Sequence, residues 1–135
     1  MSIFRFIKWI LEDQPVIIYG DGSQSRDFTY VDDIARGTIL GLKKLGYEII
    51  NLGSDSPHSL IEIVKIIEDL SGKKAVIKYE PFHKADVEKT WADINKAKFL
   101  LAWQTEYNIK CGLEEAVCWA NQNEEFLKQI CIEKK

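Results

Sequence analysis

Residues 16–33 read VIIYGDGSQSRDFTYVDD, and the pattern changes character twice along that stretch. Val16 to Tyr19 is a short β-prone run that follows Pro15. Gly20-Asp21-Gly22-Ser23 is a turn cluster, and a second β-prone run is expected near Asp27 to Tyr30. A hairpin joined through the glycines is the simplest reading. From Val31 the period becomes helical: Val31, Ile34, Ala35, Thr38, Ile39, Leu42 and Leu45 fall on one stripe. Asp32 and Asp33 in the first turn and Lys43 and Lys44 in the last suit the helix dipole. Gly46 is a natural stop. Strands feeding directly into an amphipathic helix mark an α/β chain.

The flanks continue that alternation. Before Pro15, Ile3, Ile7, Ile10 and Leu11 recur at helical spacing. Beyond the central helix, Glu48 to Leu52 reads as a short buried strand closed by Gly53. Ser59-Leu60-Ile61-Glu62 fits a capping box, and Leu60, Ile63, Val64 and Ile67 carry a helix to Gly72. Ala75 to Tyr79 is a further strand. Pro81 to Lys89 is polar and irregular. Asp93 is placed to cap a short helix through Leu101. Asn108 is placed to cap a last one, with Ile109, Leu113, Ala116, Val117 and Ala120 on one face. The segment from Glu124 onward is charged and expected to fray.

The chain has 135 residues, 46% hydrophobic and 29% charged, the balance of one soluble globular domain. A formal net charge of -3 argues against binding a nucleic-acid backbone. Cys111, Cys118 and Cys131 form no CxxC pair, so reduced thiols and a cytoplasmic setting are expected, without a thiolate metal site. No apolar run approaches the roughly 18 residues that cross a bilayer. The apolar start carries Arg5 and Lys8 and lacks a small-residue cleavage site, which disfavours a signal peptide.

Few side chains suggest chemistry on local pattern alone. Gly20-Asp21-Gly22-Ser23-Gln24-Ser25 begins like a dinucleotide fingerprint, but its third position is Ser25 and no helix follows. Arg26 leaves the loop at the start of a strand. It could hold a diphosphate through paired hydrogen bonds, or form an ion pair with Asp27 or another carboxylate; locally the ion pair is favoured. Asn51 interrupts an apolar strand and needs partners, from a ligand or from the backbone. His58 and His83 lie far apart and do not make a metal site. Cys118 reads as a small core residue.

Taken together, Tyr19 to Asp33, Ile50-Asn51-Leu52-Gly53, Pro81-Phe82-His83-Lys84-Ala85-Asp86-Val87 and Thr90-Trp91-Ala92-Asp93 resemble the NAD-dependent nucleotide-sugar epimerases and dehydratases. These are the extended short-chain dehydrogenase/reductase superfamily. Leu113-Glu114-Glu115 and Trp119 look like that family's last helix. The resemblance spans roughly residues 1 to 122 and is nearest to UDP-glucuronate and UDP-glucose 4-epimerases. It concerns only the C-terminal, substrate-binding portion of such enzymes, without most of the Rossmann sheet. It therefore implies a nucleotide-sugar-binding domain over residues 1–123 and a charged tail over 124–135.

The resemblance also implies roles. Arg26 matches the arginine that pairs with the nucleotide diphosphate. Val16 to Tyr19 match the strand along the nucleobase, which makes Val16 and Tyr19 candidate contacts. Asn51 matches a strand-end asparagine near the substrate. Asp86 matches the acidic residue of a Gly-Asp-Val segment. His83 stands where many members carry a phosphate-binding arginine, and would give a weaker, pH-dependent contact. Ala102 stands where a Leu-Gly-Trp pattern usually has glycine. The family's glycine-rich NAD turn is missing, and no tyrosine (19, 30, 47, 79, 107) has lysine four positions on. The expectation is a fragment or split-gene product, inactive alone, that binds a UDP-sugar while NAD belongs to the intact enzyme. It should meet a complementary N-terminal Rossmann half or a second copy of itself. The competing readings are a non-catalytic binding module and a degenerate remnant without ligand.

Overall fold

Helices form where apolar spacing and capping residues coincide. The computed structural model describes residues 2–82 and 86–132. Helix α1 (Ser2–Leu11) buries Phe6, Ile7, Trp9 and Ile10. Helix α3 (Leu60–Ser71) starts where the Ser59 hydroxyl accepts the Glu62 N–H at 3.2 Å. It ends at Gly72, whose φ of 69° a side chain would strain. Helix α5 (Ile109–Gln122) starts where Asn108 accepts the Cys111 N–H at 2.9 Å. These three helices pack on strand β1 (Val16–Tyr19) around Val16, Ile18, Ile63, Val64, Ile67, Leu113 and Val117. A smaller apolar cluster (Ile94, Ala97, Leu101, Trp103) lies between α2 (Val31–Leu40) and α4 (Asn95–Leu101).

The strands correct the expected hairpin. β1 pairs in parallel with β4 (Ile77–Glu80), Val16 opposite Ile77. β2 (Ser25–Asp27) lies in a different sheet, between antiparallel β3 (Pro57–Ser59) and parallel β5 (Lys89–Thr90). The glycine loop carries the chain from one sheet to the other. Gly20 and Gly22 have φ of 78° and 81°. A Cβ at Gly20 would come within 2.9 Å of the Phe82 ring, and one at Gly22 within 2.5 Å of Ile61. Gln24, buried beyond the loop, donates from its amide to the Tyr19 carbonyl.

Three further expectations are revised. α2 stops at Leu40, with Gly41 as its cap, well before Gly46. Residues 48–52 form no strand, because none of the strands among the described residues pairs with them. A strand exists only with an edge to bond to. Ile50 and Leu52 instead lean on the smaller cluster. The stretch from Glu124 is ordered as α6 (Glu124–Gln129), with Leu127 buried and Phe126 edge-on to Trp119. The buried Lys8 ammonium donates to the Leu127 carbonyl at 2.6 Å and pairs with Glu12, tying α1 to α6. Asp93 accepts from the Asn95 N–H at 2.9 Å, one position outside the cap residue Ile94.

Candidate functional site

Successive side chains in a strand point to opposite faces, so Arg26 and Asp27 leave β2 in different directions. Arg26 pairs through Nη2 with Asp86, and its Nη1 donates to the Ser25 carbonyl at 2.7 Å and the Glu88 carbonyl at 3.4 Å. The side chain is 21% exposed. Two residues singled out in the sequence, 60 positions apart, are thus brought together. The ion pair considered for Arg26 is present, with Asp86 as its acid and not Asp27. A guanidinium has five N–H donors, and among the described residues three hydrogen bonds use them, so donors remain for an anion.

Asp27, on the other side of β2, is an anchor that the local sequence does not announce. Its carboxylate accepts from the Ser54 N–H at 2.8 Å, the Ser54 hydroxyl, the Asp55 N–H at 3.1 Å and the Ala92 N–H at 3.1 Å. Burial pushes the acid's pKa up, but the bonds from Ser54, Ala92 and Asp55 outweigh it and hold the group below the ordinary carboxylate range. Gly53 is required there, since a Cβ would come within 2.5 Å of Ala92 and 2.7 Å of the Asp27 carboxylate. Asp27 so sets one wall of an open groove of about 510 Å³ lined also by Thr29, Asn51, Thr90 and Trp91. Asn51 is exposed in this groove, and the Lys89 ammonium sits 4.6 Å from the centre of the Trp91 ring. Arg26 does not line it.

The remaining candidates divide. Tyr19 is 38% exposed at the end of β1. Val16 is fully buried in the main core, so its side chain cannot touch a ligand; only the strand it belongs to could. His83 lies outside the described residues. No group of three or more potential metal ligands occurs among the described residues. A second concavity, an apolar cleft of about 590 Å³, opens between α1 and α5 beside the Tyr30 and Tyr107 rings, tilted 36° to each other with centres 4.5 Å apart. Burial, with Asp32 and Glu115 nearby, raises the Tyr30 phenol above its ordinary pKa.

The glycine loop does not fit the pyrophosphate of a dinucleotide. Asp21 already takes the Ser23 N–H at 2.9 Å and the Ser23 hydroxyl at 2.6 Å, placing a carboxylate where a phosphate would need donors. The glycine faces that would admit a phosphate are filled by Phe82 and Ile61.

The GDP-mannose 4,6 dehydratase family model matches residues 1–116. A UDP-glucuronate 4-epimerase of Thermodesulfobacterium geofontis is 60% identical over 133 residues, which are 98% of this chain and 41% of that protein. The solved UDP-glucuronic acid 4-epimerase of Bacillus cereus, in complex with UDP-glucuronic acid and NAD, is 38% identical with a TM-score of 0.85. It is covered over 90% of this chain and 40% of its own. An epimerase of Methanothermobacter thermautotrophicus is 35% identical with a TM-score of 0.90, over 96% of this chain and 39% of its own. The chain spans about two fifths of the length of the relatives it matches.

Proposed function

The chain belongs to the GDP-mannose 4,6 dehydratase family, within the nucleotide-sugar epimerases and dehydratases of the extended short-chain dehydrogenase/reductase superfamily, and on that premise we propose that it is the substrate-binding part of a UDP-sugar 4-epimerase. Its task is to hold the nucleotide diphosphate while NAD and the acid/base groups act from elsewhere in the intact enzyme. Binding energy from the distant nucleotide then positions the sugar for hydride transfer. The observation that carries this reading is the Arg26 guanidinium, aimed by Asp86 and two carbonyls with donors to spare. The nucleotide-sugar-binding domain is assigned to residues 1–123, with Tyr19, Asn51 and His83 as further candidate contacts.

The proposed partner is a complementary Rossmann half or a second copy. Val31, Ile39, Leu42, Tyr47 and Ile49 are all at least 66% exposed around α2 and the unpaired 48–52 stretch. No helix among the described residues is long and apolar enough to cross a membrane. The setting proposed, on the unpaired Cys111, Cys118 and Cys131, is the cytoplasm.

Titration calorimetry with UDP-glucuronate tests the reading. Arg26→Ala should weaken binding by about 1.5–3 kcal/mol, the worth of a charged hydrogen bond. An unchanged affinity removes Arg26 from the site. An epimerisation assay with added NAD should show no turnover from the chain alone; substantial turnover would mean that it holds the catalytic groups itself. Folded chain that takes up no nucleotide would favour the remnant.

A further inference from the structure

We propose that Asp27 is a positioning residue for Arg26, fixing the guanidinium's aim at the diphosphate through the segment 86–92; this rests on the reading of Arg26 given above. The two side chains leave β2 on opposite faces, so the acid acts on the arginine at one remove. What they share is a neighbouring strand. Arg26 pairs with Asp86 and donates to the Glu88 carbonyl at 3.4 Å, so two of its three hydrogen bonds among the described residues end on that segment. Asp27 takes the Ala92 N–H, at the segment's far end, at 3.1 Å.

The segment has little packing to hold it. Every residue from Asp86 to Trp91 is exposed, and only Ala92 leans on the smaller apolar cluster. β5 is two residues long, and its ladder with β2 sets Ser25 opposite Lys89 and Arg26 opposite Thr90. The Ser25 N–H adds one bond to the Glu88 carbonyl at 2.9 Å. A pairing this short frays unless its ends are fixed. Any slip of β5 also carries away the Glu88 carbonyl and the Asp86 carboxylate, the two groups that turn Arg26.

Asp27 fixes the end that β5 leaves loose. The same carboxylate accepts the Ser54 N–H at 2.8 Å and the Asp55 N–H at 3.1 Å, so Ala92 is tied to the turn at 54–55 as well as to β2. The hydrogen bonds that lower its pKa keep it ionised at neutral pH, with both oxygens accepting. Bonds to an ionised carboxylate are also the stronger kind. Without it, three N–H groups lose their acceptor and β5 rests on its two-residue ladder. Arg26 then keeps its charge and loses its orientation.

The test is a double-mutant cycle on the whole chain, read by calorimetry with UDP-glucuronate, with the folding of each variant checked by circular dichroism. Asp27→Ala should weaken binding about three- to thirtyfold. In an Arg26→Ala background the same change should alter affinity by less than about twofold, because the group it positions is gone. Asp33→Asn loosens a different buried anchor, bonded to residues 106 and 107, and should leave affinity within about twofold of the parent. The unaltered chain gives a second readout. Coupling is reciprocal, so saturating UDP-glucuronate should slow hydrogen exchange at the Ala92 amide, and should not do so in Arg26→Ala. Asp27→Ala without effect, an equal loss with and without Arg26, an equal loss in Asp33→Asn, or an Ala92 amide that the ligand leaves unchanged overturns the proposal while the Arg26 reading stands. Arg26→Ala without effect on affinity, or no binding by the parent, brings down that reading and the role of Asp27 with it.

Discussion

Asp33 is 1% exposed, yet its carboxylate takes the Glu106 N–H at 2.9 Å, the Tyr107 N–H at 3.0 Å and an Arg36 N–H at 2.7 Å. Burial raises its pKa, but the Glu106 and Arg36 bonds prevail and the acid is held below the ordinary range, as at Asp27. A carboxyl more acidic in the folded state stabilises the fold fully above the unfolded pKa, near 3.9 by reference values. The contribution fades as the pH drops below that point. Asp33→Asn should lower stability by about 2–3 kcal/mol at neutral pH. In urea melts the gap to the parent should close toward about pH 3; a constant gap would mean that ionisation plays no part. Asp27→Asn should behave alike, with a smaller gap because its site is more open. Neither acid was legible as an anchor. Asp27 follows Arg26 and reads as its ion-pair partner, whereas strand alternation turns it to the backbone of residues 54, 55 and 92, whose approach no local pattern announces. Arg26 and Asp86 are singled out only through the family resemblance, and the fold adds that the two pair with each other.

At the scale of elements, what was local was legible. α1, α3 and α5 follow from apolar spacing plus Ser59, Gly72 and Asn108, all signals within a turn of the helix they bound. Ser59→Ala should cost about 1 kcal/mol, read from the thermal midpoint. Ala102 tests the same logic in reverse. It closes α4 at φ 52°, ψ 35°, in the left-handed region that glycine occupies freely. Ala102→Gly should leave the fold unchanged, with strain relief of about 1 kcal/mol partly offset by the looser unfolded chain. A lower midpoint would show that the methyl group packs usefully. Strand pairing was not legible, because each partner lies far along the chain. β1 finds its edge 61 residues on, at β4, and the stretch at 48–52 finds none among the described residues. An apolar run with β-prone residues is only half of a strand.

For the molecule as a whole, Val31, Ile39, Leu42, Tyr47 and Ile49 put exposed apolar surface on α2 and the residues after it, with Leu42 at 85% and Tyr47 at 90% exposure. Water-facing surface of this kind drives association. Sedimentation at high concentration should show species heavier than the monomer, and Ile39→Lys with Leu42→Lys should return the chain to a monomer without lowering its melting temperature. Monomer throughout would mean that this side needs no cover. At the opposite end of the chain, the contact between Lys8 and the Leu127 carbonyl has a practical corollary. A shortened version cut after residue 123, where the charged sequence looks dispensable, would leave the buried Lys8 ammonium with Glu12 but without its carbonyl acceptor, and would take Leu127 out of the main core. Such a trimmed protein should express poorly or clump, for a reason that has nothing to do with sugar nucleotides.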